Sequence, residues 1–162
     1  MLHREGKMIR AAKQEDLDAL VAGNIAMARE TESLDLDAET VRSGVRAVLE
    51  RSAPGSYRVV EEEGRVVAQL LLTYEWSDWR NRPVWWIQSV YVAPEARRRG
   101  LFKRLYGAVV EEARAAGVAG VRLYVERTNA AAQAVYEALG MDGGRYRVYE
   151  AMFDEPPHAR ET

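Results

Sequence analysis

Three consecutive arginines, Arg97, Arg98 and Arg99, run into Gly100 and then into Leu101-Phe102-Lys103-Arg104-Leu105-Tyr106. The apolar run Val90-Tyr91-Val92 stands in front of them, stopped by Pro94, and an amphipathic run stands behind. This order puts the glycine in the turn between a strand and a helix. The first N–H groups of a helix have no intrahelical partner, and the helix dipole favours negative charge there. Glycine lets backbone approach a phosphate with no Cβ in the way, and adjacent arginines add charge-assisted hydrogen bonds. The stretch therefore suits a phosphate-bearing ligand. Neither G-x-x-x-x-G-K-[ST] nor G-x-G-x-x-G occurs, so these residues alone do not name it.

Two scarcities narrow the remaining chemistry. The chain has no cysteine, and its two histidines, His3 and His158, lie near the ends of the sequence. A thiol nucleophile, a thiolate metal site, a histidine base and a Ser-His-Asp triad are thereby disfavoured. Carboxylates, tyrosines, water and backbone amides remain. No metal is expected. The net charge of -2 over 162 residues gives no global attraction to nucleic acid or an anionic membrane. The amino-terminal stretch has no hydrophobic signal core, so a cytoplasmic address is expected.

The elements that must position these residues follow from periodicity and turn chemistry. A strand is expected over 8–12, then a helix carrying Leu17, Leu20, Val21, Ile25 and Ala28 near helical spacing. A second helix is expected over 37–52, and a hairpin around Glu63-Gly64 within 57–76. A strand over 84–92, a helix over 100–116 ending at Gly117, and a strand over 120–126 come next. A helix over 129–139 closes at Gly140, and a last strand is expected over 145–153. The order β-α-α-β-β-β-α-β-α-β describes an α/β fold with a mixed sheet. One domain spans 1–162, with its core over about 8–154 and a flexible tail over 155–162.

Two segments in this order resemble the signature of the GCN5-related N-acetyltransferase superfamily. The first is Val90-Tyr91-Val92-Ala93-Pro94 followed by Arg97-Arg98-Arg99-Gly100-Leu101-Phe102, matching h-x-V-x-P and R/Q-x-x-G-x-G/A. The second, N-x-x-A-x-x-x-Y, falls on Asn129, Ala132 and Tyr136. Phe102 departs from the pattern, which has Gly or Ala there. The resemblance implies a loop, Arg97 to Lys103, that holds the pyrophosphate of acetyl-CoA. It implies that the strand at 84–92 splays from the one at 120–126, with pantetheine pairing along Val90, Tyr91 and Val92. A backbone amide near Val90 would be the oxyanion donor, Asn129 would bond the pantetheine arm, and Tyr136 would protonate the leaving thiolate.

Without a cysteine, the implied route is direct attack of an amine in a ternary complex. The glutamate that some relatives carry five residues before the Asn is here Tyr124. Glu126, two residues on, and Glu75, in Tyr74-Glu75-Trp76-Ser77-Asp78, are the candidate bases. Glu30 and Glu32 fall where the family's acceptor groove lies. With Asp78 and Trp76 they suit a small cationic acceptor bearing a primary amine. The four tryptophans, Trp76, Trp79, Trp85 and Trp86, are otherwise accounted for by cross-strand packing. A homodimer is compatible with the family. Two other readings stand beside this one: a non-catalytic acyl-CoA-binding module on the same fold, and an acetyltransferase acting on protein N-termini or lysines.

Overall fold

A computed structural model describes residues 6–154; His3, His158 and the tail 155–162 lie outside them. The described order is β1 (Met8–Ala11), α1 (Leu17–Glu32), α2 (Ala38–Leu49), β2 (Ser56–Glu62), β3 (Arg65–Ser77), β4 (Arg82–Val92), α3 (Leu101–Ala115), β5 (Val121–Leu123) and α4 (Ala130–Ala138). The five strands form one sheet in sequential order, antiparallel from β1 to β4 and parallel between β4 and β5. The β2–β3 turn holds Glu63 at φ 52° and Gly64 at φ 76°, the left-handed pair that a tight hairpin favours.

Side-chain alternation on β3 sorts the two faces of the sheet. Leu70 and Leu72 join Ile87, Leu101, Leu105 and Val109 in a core beneath α3. Gln69 and Leu71 face the other way, toward α1 and α2, where Leu20, Val21, Val45, Tyr57 and Val59 form a second core. Each fully buried Leu or Val contributes about 1.5–3 kcal/mol. Gln69 is buried, and its Nε2 donates to the Leu20 carbonyl and to Asn24 Oδ1, both at 3.1 Å. Gly23 makes room for it: a Cβ there would lie 2.2 Å from Gln69 Oε1. That close approach accounts for a mid-helix glycine, which otherwise costs about 1 kcal/mol.

Near the first strand, Arg10 bonds Asp16 at 2.7 and 2.9 Å and Glu61 at 2.7 Å. The Arg10 guanidinium, with the Lys13 N–H also donating, holds the buried Asp16 carboxyl below its usual value. One ion cluster thus fastens β1, the turn before α1, and β2.

Two irregularities shape the site. Leu71 faces Ser89 while Leu72 faces Ile87, so Gln88 is an extra residue, a β-bulge in β4. The β4–β5 pairing covers Trp85–Val121, Trp86–Arg122 and Ile87–Leu123 and goes no further. β4 runs on to Val92 with, among the described residues, only β3 paired beside it.

Two expected strands differ from the structure. The strand over 120–126 is confined to Val121–Leu123, because the chain beyond turns into α4, with the Asn129 N–H donating to the Glu126 carbonyl at 3.0 Å. Residues 145–153 form no strand. They have the alternation of one, but strand formation rests on cross-strand and same-face packing, and here both are missing. Tyr149 and Phe153 are 89% and 98% exposed.

Candidate active site

The turn from β4 into α3 is built from a short 3-10 turn, Pro94–Ala96, and two left-handed residues, Arg98 at φ 61° and Gly100 at φ 70°. Gly100 is the N-cap of α3, and no side chain caps that helix. The amides of its first turn therefore retain their capacity for an anion. A Cβ built at Gly100 would meet nothing within 4 Å, so the space over this backbone is open.

The three arginines do different things. Arg97 donates from Nε to the Val92 carbonyl at 2.9 Å and from Nη2 to Glu30 at 2.5 Å, and its guanidinium lies 5.7 Å from the Tyr91 ring centroid. It straps the end of α1 to β4. Burial, and then Glu30, push the Tyr91 phenol up. Arg99 bonds Glu62 at 3.0 Å and the Glu95 carbonyl at 2.5 Å. A concavity of about 190 Å³ beside Arg99 is lined also by Glu62, Glu63, Arg65, Val67 and Glu95, so its carboxylates outnumber its arginines. Arg98 and Lys103 are exposed, with no hydrogen-bond or ion-pair partner among the described residues. Phe102 leaves the first turn toward α4 and packs against Tyr136 at 5.6 Å and Tyr106 at 6.1 Å. Its bulk is thus taken up between helices.

Beyond the last β4–β5 pair, the backbone groups of β4 alternate between β3 and the open side. Ala93 donates to the Val67 carbonyl of β3 at 2.9 Å. The alternation then directs the polar groups of Val90 and Val92 to the open side, where Arg97 already holds the Val92 carbonyl. Across the opening, Asn129 Oδ1 accepts from the Ala132 N–H at 3.0 Å and caps α4. Its side-chain nitrogen is left for other contacts. Tyr136 is half-buried, and burial raises its phenol above the ordinary value of 10.0.

The remaining expected residues fall into separate places. Glu75 is bonded to Arg122 at 2.5 Å. Glu126 is exposed in the turn before α4. Glu30 is held by Arg97, and Glu32 is exposed at the end of α1. Asp78 accepts from the Trp79 N–H in the β3–β4 turn, and Trp76 is 64% exposed on the opposite face of β3 from Glu75. The structure groups Glu75 instead with Thr73, Trp86, Gln88, Arg122 and Tyr124. Tyr124 Oη donates to Gln88 Oε1 at 3.0 Å, and Gln88 Nε2 donates to Thr73 Oγ1 at 2.7 Å. The Trp86 and Tyr124 rings lie 6.0 Å apart. Period-two spacing links Arg122 to Tyr124 and Trp86 to Gln88, but no local signal sets β3, β4 and β5 side by side in this register. Among the described residues, no group of three His, Cys, Asp or Glu could hold a metal.

Comparison with known proteins agrees with this layout. Residues 18–141 match the acetyltransferase (GNAT) family. The chain is similar to a possible acetyltransferase from Clostridium difficile 630, with 42% identity, a TM-score of 0.85, and coverage of 91% of this chain and 98% of that one. A thialysine N-epsilon-acetyltransferase from Bos taurus is 34% identical over 90 residues, 55% of this chain and 49% of that protein. The match thus spans about half the length of that curated relative. The fold also matches the aminoglycoside N-acetyltransferase AAC(6')-Iy in complex with CoA, at 16% identity and a TM-score of 0.74, over 94% of this chain and all of that one. The chain belongs to the acetyltransferase (GNAT) family, and its enzyme class, N-acetyltransferase, is the family's.

Proposed function

We propose that this GNAT-family chain transfers an acetyl group from acetyl-CoA to the primary amine of a small acceptor, by direct attack in a ternary complex. The observation that carries this reading is the open edge of β4 past Ile87–Leu123, beside the uncapped start of α3. An acyl-CoA fits both: backbone donors of Leu101, Phe102 and Lys103 with Arg98 at the pyrophosphate, and the polar groups of Val90 along the pantetheine arm. When bound, it supplies the activated thioester.

The chain's own groups then have defined tasks. The Val90 N–H is a preorganised donor for an oxygen gaining negative charge. Tyr136 holds a proton at Oη for the departing sulfur. Asn129 orients the arm through its side-chain nitrogen. The attacking amine must be neutral, and water leads its proton to the Glu75 or Glu126 carboxylate. Atoms balance: an amide C–N bond forms and the C–S bond breaks; one proton passes from the amine through water to the carboxylate and on to solvent, while Tyr136 gives one to sulfur and is reprotonated from solvent.

A small acceptor is supported by the relative that carries thialysine in its name, and by the acidic and aromatic side chains around Glu75. The exposed apolar run from Tyr146 to Phe153 supports a homodimer, which size-exclusion with light scattering would detect. The cytoplasmic address and a single domain over 1–162 belong to the same reading. Its direct test is release of free CoA from acetyl-CoA in the presence of an amine panel, with Tyr136→Phe alongside. Amine-dependent release, slowed in the variant, supports the reading. Coenzyme binding with no turnover for any amine would point to the non-catalytic module instead.

A further inference from the structure

The cluster on the α1/α2 face has an order along the strands that bears on the acceptor. At the mouth of the opening stand Tyr124 and Gln88; two residues back along β4 and β5 stand Trp86 and Arg122, paired in register, with Glu75 bonded to Arg122 at 2.5 Å. The register pair Thr73–Trp86 shows that these residues share one face, and the Gln88–Thr73 bond at 2.7 Å ties both ends together.

The two ends have different chemistry. Tyr124 donates its proton to Gln88, and Gln88 passes a donor on to Thr73, so the Tyr124 oxygen is left as an acceptor. An amine N–H needs that polarity. At the other end, an arginine and a carboxylate lie side by side, half-exposed, with side-chain exposures of 33% and 42%. The guanidinium has five N–H donors, and only one is bonded to Glu75 at a side-chain oxygen. Such a pair matches an α-amino acid head: the carboxylate on Arg122, the ammonium on Glu75. A diamine would meet Glu75 but would also set a second cation against Arg122.

We propose that the acceptor is a linear zwitterion, an amino-acid head held by Arg122 and Glu75 and a distal primary amine delivered to Tyr124 and Gln88 across the Trp86 ring. The inference rests on the acetyltransferase reading above and adds the substrate class. Two strand residues separate the ends by about 7 Å, which a tether as long as a lysine side chain spans. Tyr146, whose ring lies 5.7 Å from the Arg122 guanidinium, backs the head-group end.

The test compares kcat/KM for lysine, 1,5-diaminopentane and 6-aminohexanoate on the full chain with saturating acetyl-CoA. Lysine should exceed the diamine by about tenfold or more, since a site built to bond a polar group rejects analogues that lack it. Arg122→Met should erase that preference by raising KM for lysine and, with the opposing cation gone, lowering KM for the diamine, while the thermal midpoint is kept. Arg122→Lys should restore part of it. With the head group on Glu75, the amine proton passes by water to Glu126 instead, and Glu75→Gln should weaken lysine more than 6-aminohexanoate, through KM. Equal or better use of the diamine, or an Arg122→Met effect alike on all three, would overturn the inference. Transfer to other amines but to none of these would overturn it alone, whereas transfer to no amine would overturn the acetyltransferase reading with it.

Discussion

Phe102 and Tyr136 meet edge to face, with ring centroids 5.6 Å apart and planes at 68°. The residue that departs from the family pattern in the first turn of α3 is therefore the neighbour of the expected proton donor on α4. Phe102→Ala should leave Tyr136 without this wall, so that kcat falls about tenfold, some 1.4 kcal/mol in the barrier. Because the backbone amide of residue 102 is retained, the dissociation constant of acetyl-CoA should change little. Steady-state kinetics with calorimetric binding separate the two effects. Equal losses in both would show that Phe102 serves the loop and not Tyr136.

Tyr136→Phe removes the phenolic proton while keeping the ring, and general-acid contributions of this kind are worth about 10²–10⁴-fold in rate. Burial disfavours the phenolate, so the folded value lies above the ordinary 10.0. The proton is thus present throughout the neutral and mildly alkaline range and is lost only as pH rises past that value. The alkaline fall in kcat, measured with both substrates saturating, should lie above pH 10 in the wild type. Tyr136→Phe should lower the plateau. A fall centred below 8 and unchanged in the variant would assign the limb to another group.

Arg98 and Arg99 are neighbours with unequal freedom, since Arg99 is held by Glu62 and by the Glu95 carbonyl. Arg98→Ala should weaken acetyl-CoA binding by about 1.5–3 kcal/mol, the range for hydrogen bonds to charged groups. Arg99→Ala should cost under 1 kcal/mol, as for an exposed ion pair. Titration calorimetry at two salt concentrations reads both, and the Arg98 loss should shrink as salt rises. The reverse ranking would place the phosphates on the Arg99 side.

How much of this was legible beforehand depends on the length scale of each signal. The arginine-glycine turn and the Asn129 cap are set by local spacing, and the structure places them at element ends as their residue types require; Tyr136, inside α4, came from the family resemblance. The open edge of β4 came from the family resemblance, and its extent is fixed by the register with β5. The grouping of Thr73, Gln88 and Tyr124 was illegible, because it depends on pairing across three strands, which no local spacing specifies. Glu30 was placed by the family resemblance at the acceptor groove; its bond to Arg97, 67 residues away, had no signal in local spacing. Residues 145–153 carry the alternation of a strand, and alternation specifies a face to bury without supplying the edge to pair with.

Asp16 should govern acid stability. Arg10 holds its carboxyl below the usual value, so its contribution is fully present above about pH 4, the unfolded carboxylate range. That contribution is lost as pH falls through the folded value. Asp16→Asn should cost about 1.5–3 kcal/mol at pH 7, the range for hydrogen bonds to charged groups, since Glu61 still pairs with Arg10. Urea unfolding from pH 7 to pH 3 should show a steep loss in the wild type and a shallower one in the variant. Parallel curves would mean that other carboxylates set the acid limb.

Occupancy of the turn at Gly100 by acetyl-CoA is tested most directly by thermal unfolding with and without the coenzyme. At about 100 times the dissociation constant, ligand adds roughly 2.7 kcal/mol, a rise of about 5–10 °C for a domain of this size. The wild type should show that rise. Gly100→Glu, which sets a side chain and a negative charge on left-handed backbone at φ 70°, should show none while remaining folded. A rise that persists in the variant, or no rise in the wild type at millimolar acetyl-CoA, would contradict the assignment of this turn as the coenzyme site.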